Sequence, residues 1–135
     1  MDTTTFEVRT GVAFACVDLT DRVARWVAER GDGLCNVFVP HATAGVALFE
    51  LGSGTEDDVE ASLNALLPRD EHRWRHRHGS PGHGADHVLP TLVAPSLTLP
   101  VVGGSLLLGT WQSVVLVDPN VDNAVRRVVL SFLAG

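Results

Sequence analysis

The sequence predicts an α+β fold: mainly antiparallel β-sheets with two principal helices, in a single domain spanning residues 1–135. Three observations carry this assignment. Strand-like segments dominate the chain and fill its last third. Only two stretches show helical spacing of apolar residues. The strands flank those helices without the regular β-α alternation that a parallel sheet requires.

Thr4 to Val17 reads as one or two strands, with Phe6 and Val8 alternating with polar neighbours and Val12 and Phe14 continuing a buried pattern. Thr20 or Asp21 can cap a helix running to about Arg30, with Val23, Trp26, Val27 and Arg30 on one side and Gly31 as its stop. Leu34 to Val39 is a strand ended by Pro40, and Val46 to Phe49 is another. The second helix runs from Thr55 to Leu67. Thr55 and Asp58 resemble a capping box, Glu56, Asp57 and Asp58 suit the positive end of the helix dipole, and Val59, Leu63, Leu66 and Leu67 form its buried stripe. Residues 69–90 form a long polar stretch broken by Gly and Pro, of the kind that carries function or disorder. Strands follow at Ser96 to Val101, Ser105 to Leu108, Trp111 to Asp118 and Val125 to Leu133, with turns at Gly103-Gly104 and Pro119-Asn120.

Composition narrows the function. A chain of 135 residues, 45% hydrophobic and 19% charged, can bury one core without staples. No apolar run approaches the ~20 residues that cross a bilayer, and MDTTTFEVRT lacks a basic segment followed by an apolar one. Cytoplasmic residence without membrane association is the expectation. A net charge of −6 argues against nucleic acid as a partner. Cys16 and Cys35 form no CxxC pair, which excludes a zinc ribbon or thioredoxin-type motif; both read as small buried hydrophobes.

The histidines are the informative residues. Five of six lie between His72 and His87, interleaved with Arg69, Arg73, Arg75 and Arg77, a local basic patch suited to an anionic small molecule. His83 and His87 stand four apart, the spacing of many zinc sites on helices, although Gly82, Gly84 and Pro90 limit a helix there to about one turn. In an extended segment His76, His78 and Trp74 would share a face. His41 stands alone after Pro40, followed by the small residues Ala42, Thr43, Ala44 and Gly45. Glu50 ends an apolar strand and is a candidate general base; Asp58 is a candidate catalytic carboxylate that also serves the helix start. Gln112, beside Trp111, reads as a buried amide needing partners. Arg126 and Arg127 are adjacent in a strand, so unless the strand is bulged one must face inward or into a site, and a buried Arg needs an anion.

HATAGVALFE at 41–50, Trp74 with His76, His87, PSLTLPV, GTWQ at 109–112 and RRVV at 126–129 occur in an order that resembles the YjbQ family. The resemblance covers residues 6–133. It implies a homotrimer and a site built from His41, His76 and His87, which would bind a divalent metal such as zinc, or magnesium if the reaction releases diphosphate. It also implies secondary thiamine-phosphate synthase activity, joining a pyrimidine pyrophosphate to a thiazole phosphate. Under it Glu50, His76 and Asp58 are catalytic candidates, and Thr43, Gln112, Arg127 and Trp111 are candidate contacts to a small phosphorylated metabolite. Phe49, Trp74 and His83 depart from the family's Asn, Tyr and Asn. Three imidazoles suit zinc better than magnesium, so a His-metal hydrolase with Glu50 as base, or a trimeric metal- or anion-binding module without catalysis, stands beside the synthase reading.

Overall fold

The computed structural model describes residues 1–119 and 121–135. Eight strands form two antiparallel sheets: β1 (Asp2–Arg9), β2 (Ala15–Asp18), β3 (Gly33–Phe38), β4 (Gly45–Phe49), β5 (Ser96–Val102), β6 (Ser105–Leu106), β7 (Ser113–Asp118) and β8 (Val125–Ala134). One sheet has the order β1-β8-β3-β5-β6 and the other β2-β7-β4. The helices are α1 (Thr20–Val27), α2 (Thr55–Leu66) and the short α3 (Gly84–Val88), which runs into a 3-10 turn at Leu89–Thr91. This is the α+β class that the missing β-α alternation implied. No helix of the described residues is long and apolar enough to cross a membrane.

The core lies where the two sheets and α1 meet. Cys35, Val37, Leu99, Val101, Val128 and Leu130 come from the five-stranded sheet, Val46, Val114 and Leu116 from the three-stranded one, and Val23 and Val27 from α1. Alternation places these side chains on one face of each strand. Central β7 departs from alternation, with Val114 through Asp118 all buried.

Several local expectations change. Val12 is 69% exposed because a turn, not a continuing strand, occupies residues 11 and 12. Neither principal helix has a side-chain cap: Leu19 precedes α1, with the Thr20 amide donating to Asp18 Oδ1 instead, and left-handed Gly54 precedes α2. Glu56 Oε1, in the first turn of α2, reaches back to accept from the Gly52 amide in the preceding loop. No residue of α2 is fully buried; Leu66 is exposed and only Leu67, just past its end, is buried. Its acidic first turn, Glu56 to Asp58, is present as expected. The strand assigned to residues 111–118 starts at Ser113, and the turn assigned to Pro119-Asn120 reaches outside the described residues.

Arg126 is the inward-facing member of the arginine pair. Its Nε and Nη2 donate to Asp118 Oδ2 and Oδ1 at 2.7 and 2.9 Å, and Nη2 also donates to Thr43 Oγ1 at 2.9 Å. Asp118 Oδ2 accepts from Thr10 Oγ1 as well, at 2.7 Å. β8 of one sheet is thereby bound to β7 of the other and to the β3–β4 connection. Removing one partner of such a pair leaves the other charge buried alone, a loss of about 3–5 kcal/mol. Arg126→Ala should therefore lower the unfolding free energy by that amount in a urea titration; a loss below about 1 kcal/mol would show that the pair is not what joins the sheets.

Candidate metal centre

A second, smaller apolar cluster seats the histidine-rich segment. Leu67 at the end of α2, Ala85 and Leu89 pack together, with Leu63, Trp74, Val88 and Val93 against them. The Trp74 indole donates to the Pro68 carbonyl at 2.8 Å, folding the segment back onto the end of α2. Two glycines permit the close packing. Gly82 has φ of 78°, and a Cβ there would lie 2.5 Å from the Arg69 carbonyl oxygen. At Gly84 a Cβ would lie 2.5 Å from Trp74 Cβ and 2.8 Å from the His76 carbonyl oxygen. The same glycines that weaken helix propensity are the ones that let loop and helix touch. Gly84 is the first residue of α3 and Pro90 falls in the 3-10 turn that follows.

This packing gathers four imidazoles. His83 immediately precedes α3 and His87 lies in its last turn, so both face one side at the four-residue spacing. Their Nε2 atoms are 3.0 Å apart. The His76 ring comes in from the loop, its centroid 4.0 Å from that of His87 and 5.9 Å from that of His83. His76, His83 and His87 each offer a ring nitrogen within 4.8 Å of the others. His78 stacks edge-on to His76 at 4.0 Å and flanks the group. No strand forms across residues 74–78, so His76 and His78 meet by loop curvature and not by strand alternation.

Beneath the imidazoles lies a closed polar ring. Arg69 Nη1 donates to Asp86 Oδ1 at 2.5 Å, and Nη2 to Ser80 Oγ at 3.1 Å. Ser80 Oγ donates to Asp122 Oδ2 at 2.9 Å. His83 Nδ1 closes the ring, 2.8 Å from Asp122 Oδ2 and 3.3 Å from Asp86 Oδ2. Partial burial and the neighbouring rings hold His76 and His87 below the usual histidine value, His78 and His83 acting on the first, and His76, His83 and His78 on the second. Both are therefore neutral at pH 7, the form in which imidazole ligates a metal. Burial pushes Cys16 and Cys35 up to about 11, so neither is a thiolate at neutral pH.

The other candidate residues lie elsewhere. Among the described residues, His41 belongs to no three-ligand group within one chain. Its Nε2 accepts the Arg127 amide at 2.8 Å, which ties it to a cleft lined by Glu7, Pro40, His41, Val125, Arg126 and Arg127. Within a single chain the imidazoles that converge are His76, His83 and His87, and His41 lies apart from them; the expected trio of His41, His76 and His87 could meet only across a subunit boundary. Thr43 is buried and bonded to Arg126, a structural contact. Gln112 is exposed, because its strand begins one residue later, and its Oε1 accepts the Gly109 amide at 2.9 Å. Trp111 is 72% exposed. Glu50 is half-buried and accepts from Ser53 Oγ at 3.1 Å, while Asp58 is exposed in the first turn of α2. Sequence reasoning missed Asp122, Asp86, Arg69 and Ser80 as a group; the legible signal was the spacing His83, Asp86, His87 on one turn of helix.

A two-sheet α+β module with an imidazole cluster on a buttressed loop is the class that fold and site define. The family model described as UPF0047 protein YjbQ-like matches residues 4–135, and the chain belongs to that family. It is 59% identical to the UPF0047 protein Rv2556c of Mycobacterium tuberculosis across the full length of both, and 32% identical to a UPF0047 protein of Archaeoglobus fulgidus over 93% of this chain and 97% of that one. Among solved structures it resembles APE1520 of Aeropyrum pernix K1, with TM-score 0.87 and 33% identity over the whole of both chains. It also resembles a YbjQ-like protein of unknown function, SSO2532 of Sulfolobus solfataricus P2, with TM-score 0.91 and 26% identity over 99% of this chain and 97% of that one.

His41 is held below the usual histidine value by burial first, then by the Arg126 guanidinium, with Asp118 opposing and Arg127 adding. The unfolded chain therefore takes up the proton more readily than the folded one. Stability should fall as pH drops through about 6.5 and level off below the folded value. In metal-free protein the urea midpoint should be lower near pH 5.5 than near pH 7.5, and His41→Gln should show a smaller difference; an unchanged difference would remove His41 as a contributor.

Proposed function

We propose that the chain is a metal-dependent enzyme acting on a small phosphorylated metabolite, its metal held by His76, His83 and His87. The convergence of three ring nitrogens within 4.8 Å carries this reading. An all-imidazole donor set fits zinc and fits magnesium poorly. The neutral state of His76 and His87 supports the fit. When bound, zinc supplies a Lewis acid for a phosphate oxygen and a position for water.

Arg73, Arg75 and Arg77 are exposed on the same segment as His76 and His78. Arg77 Nε donates to the Trp74 carbonyl at 2.9 Å, and the Arg73 guanidinium lies 4.8 Å over the Trp74 ring, so both are tethered beside the cluster. Such guanidiniums bind phosphate oxygens and neutralise charge on a departing group. This supports secondary thiamine-phosphate synthase as the reaction. The thiazole nitrogen attacks the methylene carbon of the pyrimidine, the carbon–oxygen bond breaks, and diphosphate leaves with the electron pair. The arginines stabilise that diphosphate.

The donor set itself favours a second reading, hydrolysis of a phosphate ester, since three imidazoles and an open position suit activation of water. In either case the family resemblance supports a homotrimer. Glu50 and Asp58 stand as carboxylates outside the histidine group, and the cleft of His41 and Arg127 as a second anionic contact.

Zinc-loaded protein should form thiamine phosphate from the two precursors, and His76→Ala or His87→Ala should lower kcat at least about 100-fold. Equal turnover by these variants would overturn the site. Phosphate release from phosphomonoesters without thiamine phosphate would favour the hydrolase.

A further inference from the structure

We infer that Asp122 is a positioning residue: it holds the His83 ring with its proton on Nδ1, so that Nε2 is presented to a metal shared with His76 and His87. This inference rests on the metal-centre reading above and adds to it a residue from the β7–β8 connection.

His83 is 8% exposed, and its Nδ1 has no solvent contact. The two atoms that face Nδ1 are carboxylate oxygens, Asp122 Oδ2 at 2.8 Å and Asp86 Oδ2 at 3.3 Å. Neither contact has hydrogen-bond alignment, and Asp86 Oδ2 is likewise buried without a hydrogen bond. Alignment is not needed to choose the tautomer. A lone pair on Nδ1 would point among anionic oxygens, whereas a proton there is attracted to both. The proton therefore resides on Nδ1, and a neutral ring carries its lone pair on Nε2. That atom faces His87 Nε2 at 3.0 Å, on the side where the metal nitrogens converge. A carboxylate on the far nitrogen of a metal-ligating histidine fixes its rotation and raises its basicity.

Asp122 is assigned this role over Asp86 because its oxygen is the nearer to Nδ1, at 2.8 against 3.3 Å. Ser80 holds Asp122 in turn, through Oγ at 2.9 Å, and Arg69 holds Ser80. The same atoms allow one rival. His83 Nδ1, Asp86 and Asp122 lie close enough to bind a cation themselves, with the proton then absent from Nδ1. Arg69, paired with Asp86, disfavours that arrangement by charge.

Two measurements test the assignment. Long-range nitrogen–proton correlation spectra of metal-free protein should show His83 as the Nδ1–H tautomer, its signals identified by their loss in His83→Asn. Zinc affinity, measured against a chromophoric chelator, should fall about 10–100-fold in Asp122→Ala. It should fall less in Asp122→Asn, whose amide oxygen still sets a partial negative charge opposite the Nδ1 proton, with both variants melting as cooperatively as the parent. Loss of zinc binding in His76→Ala with parental affinity in Asp122→Ala would overturn the role of Asp122 alone. An Nε2–H tautomer for His83 would do the same. Two zinc ions per chain, one lost in Asp122→Ala, would replace it with the rival site. No zinc binding by the parent protein would overturn the metal centre and this inference together.

Discussion

A guanidinium sealed between two sheets organises this molecule. Arg126 projects from β8 and finds Asp118 on β7 and Thr43 on the β3–β4 connection, all buried. Apolar packing alone would let the sheets slide, because contacts among valines and leucines are tolerant of small shifts. A two-pronged ionic contact in a dry interior is not, since each misplaced bond leaves a charged group without solvent or partner. The neighbour in sequence inherits the consequence. With Arg126 turned inward, Arg127 faces out, and its amide meets His41. One buried pair thus sets the sheet alignment and places the cleft around His41.

The histidine segment is governed by separate means. Its own small apolar cluster, two glycines that admit close approach and a polar ring of Arg69, Ser80, Asp86 and Asp122 hold it against α3. The imidazoles then sit on a support rich in charge. Local rigidity here comes from contacts between stretches far apart in sequence: Ser80 and Asp122 belong to different connections of the fold. This arrangement explains how a stretch that reads as an irregular loop can nevertheless define a fixed group of donor atoms.

The fold was legible because hydrophobic periodicity reports which face of a strand is buried, and β1, β3, β5 and β8 obey it. Helix ends were less so: the Asp18 carboxylate ahead of Leu19 and left-handed Gly54 replaced the caps that Thr20 and Thr55 suggested. Gln112 was misplaced as buried because the strand starts one residue later than its apolar run implied. For the site, the four-residue spacing of His83 and His87 was visible in the sequence, while the contribution of Asp122 was not. Nothing local to Asp122 marks it, since its partners lie about forty positions upstream and are reached only through tertiary packing. Family resemblance pointed to His76 and His87 and passed over His83, whose place in the group depends on the helix that Gly84 begins.

Trp74 turns the centre into something that can be watched without labels. Its indole is anchored to the Pro68 carbonyl and packed in the same cluster as Ala85 and Leu89, two positions from His76. Paramagnetic ions such as copper or cobalt, held at the neighbouring imidazoles, would quench its emission at short range. The remaining indoles sit in contrasting surroundings, Trp26 against the main core under the Arg30 guanidinium and Trp111 in solvent. Differences in emission wavelength would then separate the three fluorophores and leave two as internal references.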